Sequence, residues 1–429
     1  MTWMLWVAAS WAGGFGDVGA PLSSGDLGFG ASVASAGDVN GDGVTDAIVG
    51  KYRSGVGDGA AYVYLGGKKG LAAEPQARLT GTVADSGFGF SVAGAGDIDG
   101  DGFGDVLVGS NANRNGEVAL FRGGPNGIDP VAAATLTGGP AFGYAVSGAG
   151  DVDHDGFDDV VVGQWAADDD RGVVRLYRGS PDGLSTSGVE LDPPVGGYFG
   201  WSVAGVGDVN GDGFADVAVG AWAAESAYVF AGSAAGLVAA PLVTWTGAQG
   251  SQLGHAVAAA GDVDGDGAPD VLVSAPGAAS LAGQVSVFLG GAAPADAPLV
   301  TWEGAGADAG FGEAIAGGDL NDDGVVELLV GAPGLGDGSG SVLAFHVDEG
   351  AAVEQVDGGE VDGRFGAAVA FLSDREGGGD ALIGAPGAGL AVPVGGAGCG
   401  CSAAPSGGSP WLVVAVLLLG CRARRQNVA

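Results

Sequence analysis

The sequence predicts an all-β chain in which one supersecondary unit is repeated seven times and the copies close into a ring. Three observations predict it. An acidic loop turned by glycine returns at Asp38, Asp97, Asp151, Asp208, Asp262 and Asp319, at intervals of 59, 54, 57, 54 and 57 residues, and self-similarity at such a period marks a propeller or a solenoid. Each interval holds four short apolar runs separated by Gly-rich turns, the spacing of a four-stranded antiparallel sheet. The 91 glycines follow no collagen-like period and leave few helix signals.

The second repeat shows the unit, with apolar runs at residues 90–95, 105–108, 117–122 and 133–136. A stacked β-helix is the rival architecture, but its rungs are usually shorter. Another step of 54 from Asp319 lands on Ser373, where residues 364–370 copy the lead into the other loops and residues 380–386 copy the strand beyond them. Ser373, Arg375 and Gly377 stand where the acids would be, so this seventh repeat is read as having lost its cation site. It supplies three runs, the last near residues 389–394, and the missing fourth is expected from the segment around residues 18–23. Pairing of that N-terminal strand with the last repeat removes an exposed sheet edge. The prediction is a seven-bladed β-propeller of four-stranded antiparallel blades, closed by an N-terminal strand, over residues 13–397.

The repeated loop carries the chemistry. In Asp38-Val39-Asn40-Gly41-Asp42-Gly43-Val44-Thr45-Asp46, carboxylate or carboxamide oxygens occupy positions 1, 3, 5 and 9 around a glycine at position 6. Oxygen-only sets of this kind suit a hard cation such as Ca²⁺. The second loop crowds Asp97, Asp99, Asp101 and Asp105 into nine residues, and without a cation their mutual repulsion disfavours the folded turn. Asp-Gly and Asn-Gly pairs also mark plain turns, but six copies in register argue for more. An EF-hand would end in Glu at position 12; here that position is Val49, Val108, Val162, Val219, Val273 and Val330, and the flanks read as strands.

The formal charge of −36 is largely accounted for by these loops, whose positions 1, 3, 5 and 9 hold 21 of the 51 acids. Six doubly charged ions would bring the net charge to about −24. A hydrophobic fraction of 47% argues for a packed core rather than an acidic, disordered chain. With 3 Lys and 12 Arg, nucleic acid is not expected as a partner.

Residues 1–12 read as a short export signal, apolar with a small-residue cleavage site before Gly13 but no basic residue ahead of the apolar run; an apolar first strand is the other reading. At the far end, Cys399 and Cys401 precede a polar linker, an apolar run of about a dozen residues and Arg422, Arg424 and Arg425. That run is shorter than the roughly 20 residues needed to span a bilayer, which points to a transient or processed anchor. The segment 398–429 resembles the MYXO-CTERM sorting tails of myxobacterial surface proteins, and the resemblance implies processing near Cys399 or Cys401 and display at the cell surface. A structural pair or free thiols is the alternative.

Phe29-Gly30, Phe88-Gly89, Phe142-Gly143, Phe199-Gly200, Phe311-Gly312 and Phe365-Gly366, with Gly331-Ala332-Pro333 and Gly384-Ala385-Pro386 downstream, resemble FG-GAP repeats, the repeats of integrin α-subunit propellers and of many bacterial surface proteins. The resemblance covers about residues 24–395. Leu253-Gly254 departs from Phe-Gly in the fifth repeat. The resemblance implies Ca²⁺ in the loop between the first and second strands of a blade. The side-chain ligands would be Asp38, Asn40, Asp42 and Asp46; Asp97, Asp99, Asp101 and Asp105; Asp151, Asp153, Asp155 and Asp159; Asp208, Asn210, Asp212 and Asp216; Asp262, Asp264, Asp266 and Asp270; and Asp319, Asn321, Asp323 and Glu327. The position-7 carbonyls of Val44, Phe103, Phe157, Phe214, Ala268 and Val325 would complete them. Contiguous oxygen ligation leaves little room for a substrate, so the ions are read as structural clips.

No catalytic motif is present, and the three His, at 154, 255 and 346, fall in separate repeats. No enzyme activity is expected. A meander puts the cation loops on one face of the propeller and the second-to-third turns on the other. The latter turns carry Lys51, Tyr52 and Arg53; Asn111, Asn113 and Arg114; Trp165, Asp168, Asp169, Asp170 and Arg171; and Trp222 and Glu225. Aromatics and Arg on rigid loops suit recognition, and Tyr52, Arg53, Arg114, Trp165, Arg171 and Trp222 are the candidate ligand face. Packing of Trp165 and Trp222 between blades is the alternative. The expected function is a Ca²⁺-stabilised, exported cell-surface binding or adhesion module for an extracellular protein or glycan. A structural surface-layer or matrix component, or a glycan-active enzyme drawing on the 30 acids outside the loops, are the other readings.

Overall fold

The computed structural model describes residues 15–52, 59–68, 70–82, 86–110, 116–320, 325–347, 352, 354–359, 362–372 and 380–396. The export signal, Arg53, Asn111, Asn113, Arg114, Asn321, Asp323, the altered loop of the seventh repeat, and Cys399 and Cys401 with the rest of the tail lie outside the described residues.

Alternation of short apolar runs with glycine turns produces seven four-stranded antiparallel sheets. In six of them the strands pair in chain order; the third blade, for example, is Ala145–Gly150, Asp159–Gln164, Val173–Tyr177 and Val189–Leu191. The seventh blade is completed by the strand Phe15–Val18, which pairs with Leu390–Gly396 through Phe15↔Gly396 and Val18↔Val394. The closing strand thus begins three residues earlier than the sequence suggests. Beyond it the Gly19 N–H still donates to the Pro393 carbonyl at 2.9 Å. Pro21 has no N–H to continue the ladder, so the remaining pairing is a single bridge, Leu22↔Ala391.

The first strands of neighbouring blades contact one another all the way around, and so form the inner ring. Every second strand from the first blade to the sixth is buried along its whole length. The apolar interior is divided into seven clusters, one at each seam between blades. The Phe of each Phe-Gly pair sits in such a seam: Phe88 lies with Ile48 and Val63 of the first blade and Val106 and Phe121 of the second. Leu253 takes the same place between the fourth and fifth blades and is also buried.

The glycine of the pair is required for a different reason. Gly89 has φ +84°, and a Cβ there would stand 2.2 Å from the Ala60 carbonyl oxygen; a Cβ on Gly50 would meet the Gly89 carbonyl oxygen at 2.3 Å. Backbone therefore packs directly on backbone across the seam, a contact that only glycine permits.

Gly89→Ala should destabilise the protein by more than the roughly 1–2 kcal/mol of left-handed strain alone, with overpacking adding about 1–3 kcal/mol. Gly250→Ala, at φ +83° with nothing within 4 Å of the added Cβ, should cost only the strain. Urea unfolding of the two variants checks this, and equal losses would contradict the seam argument.

Candidate metal centres and the opposite aromatic face

The six acidic loops lie between the first and second strands of blades one to six. Their shape is set by their own amides. Asp38 accepts N–H groups from Gly41 and Asp42 on Oδ1 and from Gly43 on Oδ2, at 2.7–3.1 Å. Asp97, Asp151, Asp208 and Asp262 repeat the bonds from positions 5 and 6, and Asp262 also that from position 4. The position-6 glycine supplies the turn, at φ +80° in Gly43 and +90° in Gly102. These bonds turn carboxylates inward: one oxygen from each of Asp97, Asp99 and Asp101 lies within 4.8 Å of the others, and so do those of Asp151, Asp153 and Asp155, and of Asp262, Asp264 and Asp270. Such a donor set suits a hard divalent cation.

Position 9 has a second role that the spacing does not show. Asp46 accepts the Val39 N–H at 2.9 Å on one oxygen and the Gly66 N–H at 2.6 Å on the other. The same pair of bonds, to loop position 2 and to the second residue after the third strand, recurs at Asp105, Asp159, Asp216 and Asp270. Glu327 keeps the first, to Leu320 N–H at 2.6 Å, and its other oxygen lies 2.9 Å from His346 Nε2. All six position-9 carboxylates are buried. Burial pushes Asp105 and Asp159 up to about 7 and Asp46 and Asp216 up to about 6, while the backbone donors pull the other way; Asp270 is raised for the same reason.

The loops also dock on the following blade. Gly104 N–H donates to the Asp38 carbonyl at 2.8 Å, Asp158 N–H to Asp97 at 3.2 Å and Ala215 N–H to Asp151 at 3.2 Å. His154 is exposed, at φ +59°, with its ring centroid 6.0 Å from that of Phe214 of the next loop.

At the other end of the strands the candidate ligand residues meet partners that the sequence reading passed over. Trp165 and Trp222 directly follow second strands that begin at cation loops, so they sit a full strand away from the acids. Phe90, Tyr144, Trp201 and His255 occupy the slot after the Phe-Gly pair or its Leu-Gly counterpart. Ring centroids run Tyr52–Phe90 5.0 Å, Phe90–Tyr144 4.8 Å, Tyr144–Trp201 4.6 Å and Trp201–His255 5.9 Å across blades one to five. Trp165, Tyr198 and Trp222 join the same group. All eight rings are half-buried. Among the described residues Trp165 Nε1, Trp222 Nε1 and His255 Nδ1 have no hydrogen-bond partner. Burial lowers His255 to about 4, so its imidazole is neutral at pH 7, and raises the Tyr144 hydroxyl. In the sixth blade the slot holds Glu313, paired with Arg364. Arg171 is exposed beside Trp165's turn. Trp165 contacts Tyr198 and Trp201 of the next blade, so packing between blades and membership of the face coexist. The alternation Phe-Gly-aromatic was the available signal for Phe90, Tyr144 and Trp201. Trp245 and Trp302 are buried strand residues.

A family model for the FG-GAP-like repeat matches residues 38–108, 97–162 and 151–219, and one for the FG-GAP repeat matches 253–288 and 311–345, together more than half of the chain. The chain is an FG-GAP repeat propeller. Integrin alpha-6 of Gallus gallus is 35% identical over 173 residues, covering 38% of this chain and 16% of that protein. Integrin alpha-5 of Xenopus laevis is 33% identical over 183 residues (38% and 17%), and integrin alpha-6 of Homo sapiens 35% over 155 (34% and 13%). The FG-GAP propeller thus aligns with less than a fifth of each of these relatives.

Two outcomes are expected from the loop geometry of this FG-GAP propeller. Asp105→Ala orphans the Ile98 and Gly123 N–H groups, at about 1–3 kcal/mol each, and should destabilise the protein with or without Ca²⁺. Asp101→Ala removes an exposed loop carboxylate and should lower stability only when Ca²⁺ is present. Calorimetry in chelator and in Ca²⁺ separates the two. The raised position-9 carboxyls favour the folded state below about pH 4, and that stabilisation is lost as pH rises through about 6–7. In chelator the melting temperature should therefore fall between pH 5 and 8, and Ca²⁺ should restore it at pH 8, where the carboxylates are free to bind metal.

Proposed function

We propose that this protein is an exported, cell-surface binding or adhesion module, stabilised by Ca²⁺ in its acidic loops, that recognises an extracellular protein or glycan through the face opposite those loops. The aromatic group at the inner ring's far mouth carries the reading. Eight half-buried rings span five blades in a continuous group, in a chain whose aromatic content is only 7%, and three of them hold a nitrogen without a partner. Aromatics concentrated at one end of a rigid scaffold supply large contact area at small entropic cost. The likeness to integrin α subunits supports an extracellular ligand-binding role. Among the described residues no helix is long and apolar enough to cross a membrane, and association with the membrane is assigned to the tail.

The cation assignment extends to six loops. Asp38, Asp97, Asp151, Asp208, Asp262 and Asp319 would head them, and the ion's part is to neutralise carboxylates that otherwise repel one another. Thermal unfolding titrated with Ca²⁺ over about 0.1–10 mM tests it: the midpoint should climb steeply, and a flat response would remove the structural ions from the proposal. Saturable binding to arrayed extracellular-matrix proteins and glycans tests the ligand face. Trp201→Ala should weaken any captured partner about tenfold or more, whereas Asp101→Ala in excess Ca²⁺ should leave affinity near that of the parent. Binding indifferent to Trp201→Ala would move the ligand site elsewhere.

A further inference from the structure

The six loops differ in one respect that their spacing conceals. Position 3 is Asp99 in the second loop and Asp153 in the third, and each is gripped from outside by an arginine that directly follows the third strand of the same blade. Arg122 Nη1 lies 2.7 Å from Asp99 Oδ2, and Arg178 Nη1 lies 2.6 Å from Asp153 Oδ2. The carboxylate side chains are only 7% and 3% exposed. Their other oxygens, Oδ1 in both residues, are buried with no hydrogen-bond partner among the described residues, in loops where the three carboxylates converge within 4.8 Å.

The same guanidinium groups reach across the seam. Arg122 Nη2 donates to the Asp182 carbonyl of blade three at 3.4 Å, and Arg178 Nη2 donates to the Ala235 carbonyl of blade four. Each receiving turn has a glycine next to that carbonyl, and a Cβ there would stand 2.3 Å from Arg122 Nη2 at Gly183 and 2.8 Å from Arg178 Nη2 at Gly236. The bare glycine, left-handed here as at Gly127 and Gly291 where no arginine arrives, leaves room for the guanidinium. Elsewhere among the described residues no arginine follows the third strand, and of those loops only the fifth keeps a position-3 carboxylate. Asn40 and Asn210 take position 3 in the first and fourth loops, where Leu65 and Ala231 follow the third strands. Asp264 of the fifth loop, opposite Leu289, is exposed.

We propose that Arg122 and Arg178 make the cation loops of blades two and three part of the joint with the following blade, one carboxylate holding the ion on its inner oxygen and the next blade, through the guanidinium, on its outer one. The inference rests on the cation reading above. A planar fork suits this double role because it bonds a carboxylate and a carbonyl at once in fixed geometry, which an ammonium cannot. Both arginines are positioning residues, not ligands. Loss of the ion frees the buried oxygen to attract water and lets the carboxylate turn, and the grip on the next blade loosens with it.

Hydrogen exchange on the full chain, in chelator and in about 5 mM CaCl₂, tests the joint. Ser180 N–H donates to the Ile98 carbonyl and Ser233 N–H to the Val152 carbonyl across these two seams, while Gly124 and Gly291 make the matching bonds at seams without an arginine. Ca²⁺ should slow exchange at Ser180 and Ser233 by about tenfold more than at Gly124 and Gly291. Arg122→Leu, which copies the residue found at 65 and 289, should bring Ser180 down to the Gly124 response and leave Ser233 unchanged; Arg178→Leu should do the reverse. Arg122→Lys keeps the charge without the fork and should behave as Arg122→Leu. A calorimetric Ca²⁺ titration of the same samples separates the two readings. No bound Ca²⁺ overturns the cation reading and the joint together. Bound Ca²⁺ with equal protection at all four amides, or full rescue by Lys, overturns the joint alone.

Discussion

A carboxylate buried at the start of a strand has to be satisfied where it sits, because water does not reach it. In blades one to six that carboxylate holds the amide of loop position 2 with one oxygen, and in the first five it holds the turn after the third strand with the other. The second strand, the acidic loop and the third-to-fourth turn are thus tied at one point. Everything on the acidic face takes its position from that tie. Asp380 keeps the same place at the head of the seventh blade's second strand, although the acids before it are replaced. Its retention fits a position whose first duty is to the backbone rather than to an ion.

The seams then organise the ring. Each blade contributes an aromatic or Leu253 to a cluster shared with its predecessor, and a glycine whose missing side chain lets two backbones touch. Because the first strands run from the Phe-Gly end to the acidic end, the two faces are separated by a strand length in every blade. The acids and the aromatic group are therefore held at fixed distance by the same β-ladder, and neither needs to deform when the other is altered.

Much of this was legible in the chain. The period, the four runs, the acid positions and the Phe-Gly pairs indicate the number of blades, the place of the loops and the closure of the ring, since each is local in sequence and repeated six or seven times. Contacts that occur once or twice, between residues far apart in the chain, were not legible. Arg122 and Arg178 read as ordinary strand ends until the third strand brings them beside Asp99 and Asp153. Phe90, Tyr144 and Trp201 read as strand residues until seven blades bring their slots to one mouth. The double bond of the position-9 carboxylate is invisible to spacing because its partners are main-chain amides, which every residue carries. The start of the closing strand is misjudged because the apolar pattern near residues 18–23 looks strand-like, whereas Pro21 breaks the ladder there.

The pairing of Phe15 with Gly396 sets an order of events for a chain emerging from the ribosome. Six of the seven seams join repeats adjacent in sequence, so they can zip in turn as synthesis proceeds, each at the modest entropic cost of a short loop. The closing sheet joins the two extremes of the propeller, and it cannot form until the last blade has been made. Until then the first strand of blade one and the last strand present an open edge at the same time. The nascent protein is an arc with two adhesive ends, and the step that commits it to a closed ring, rather than to pairing with a neighbouring chain, comes last.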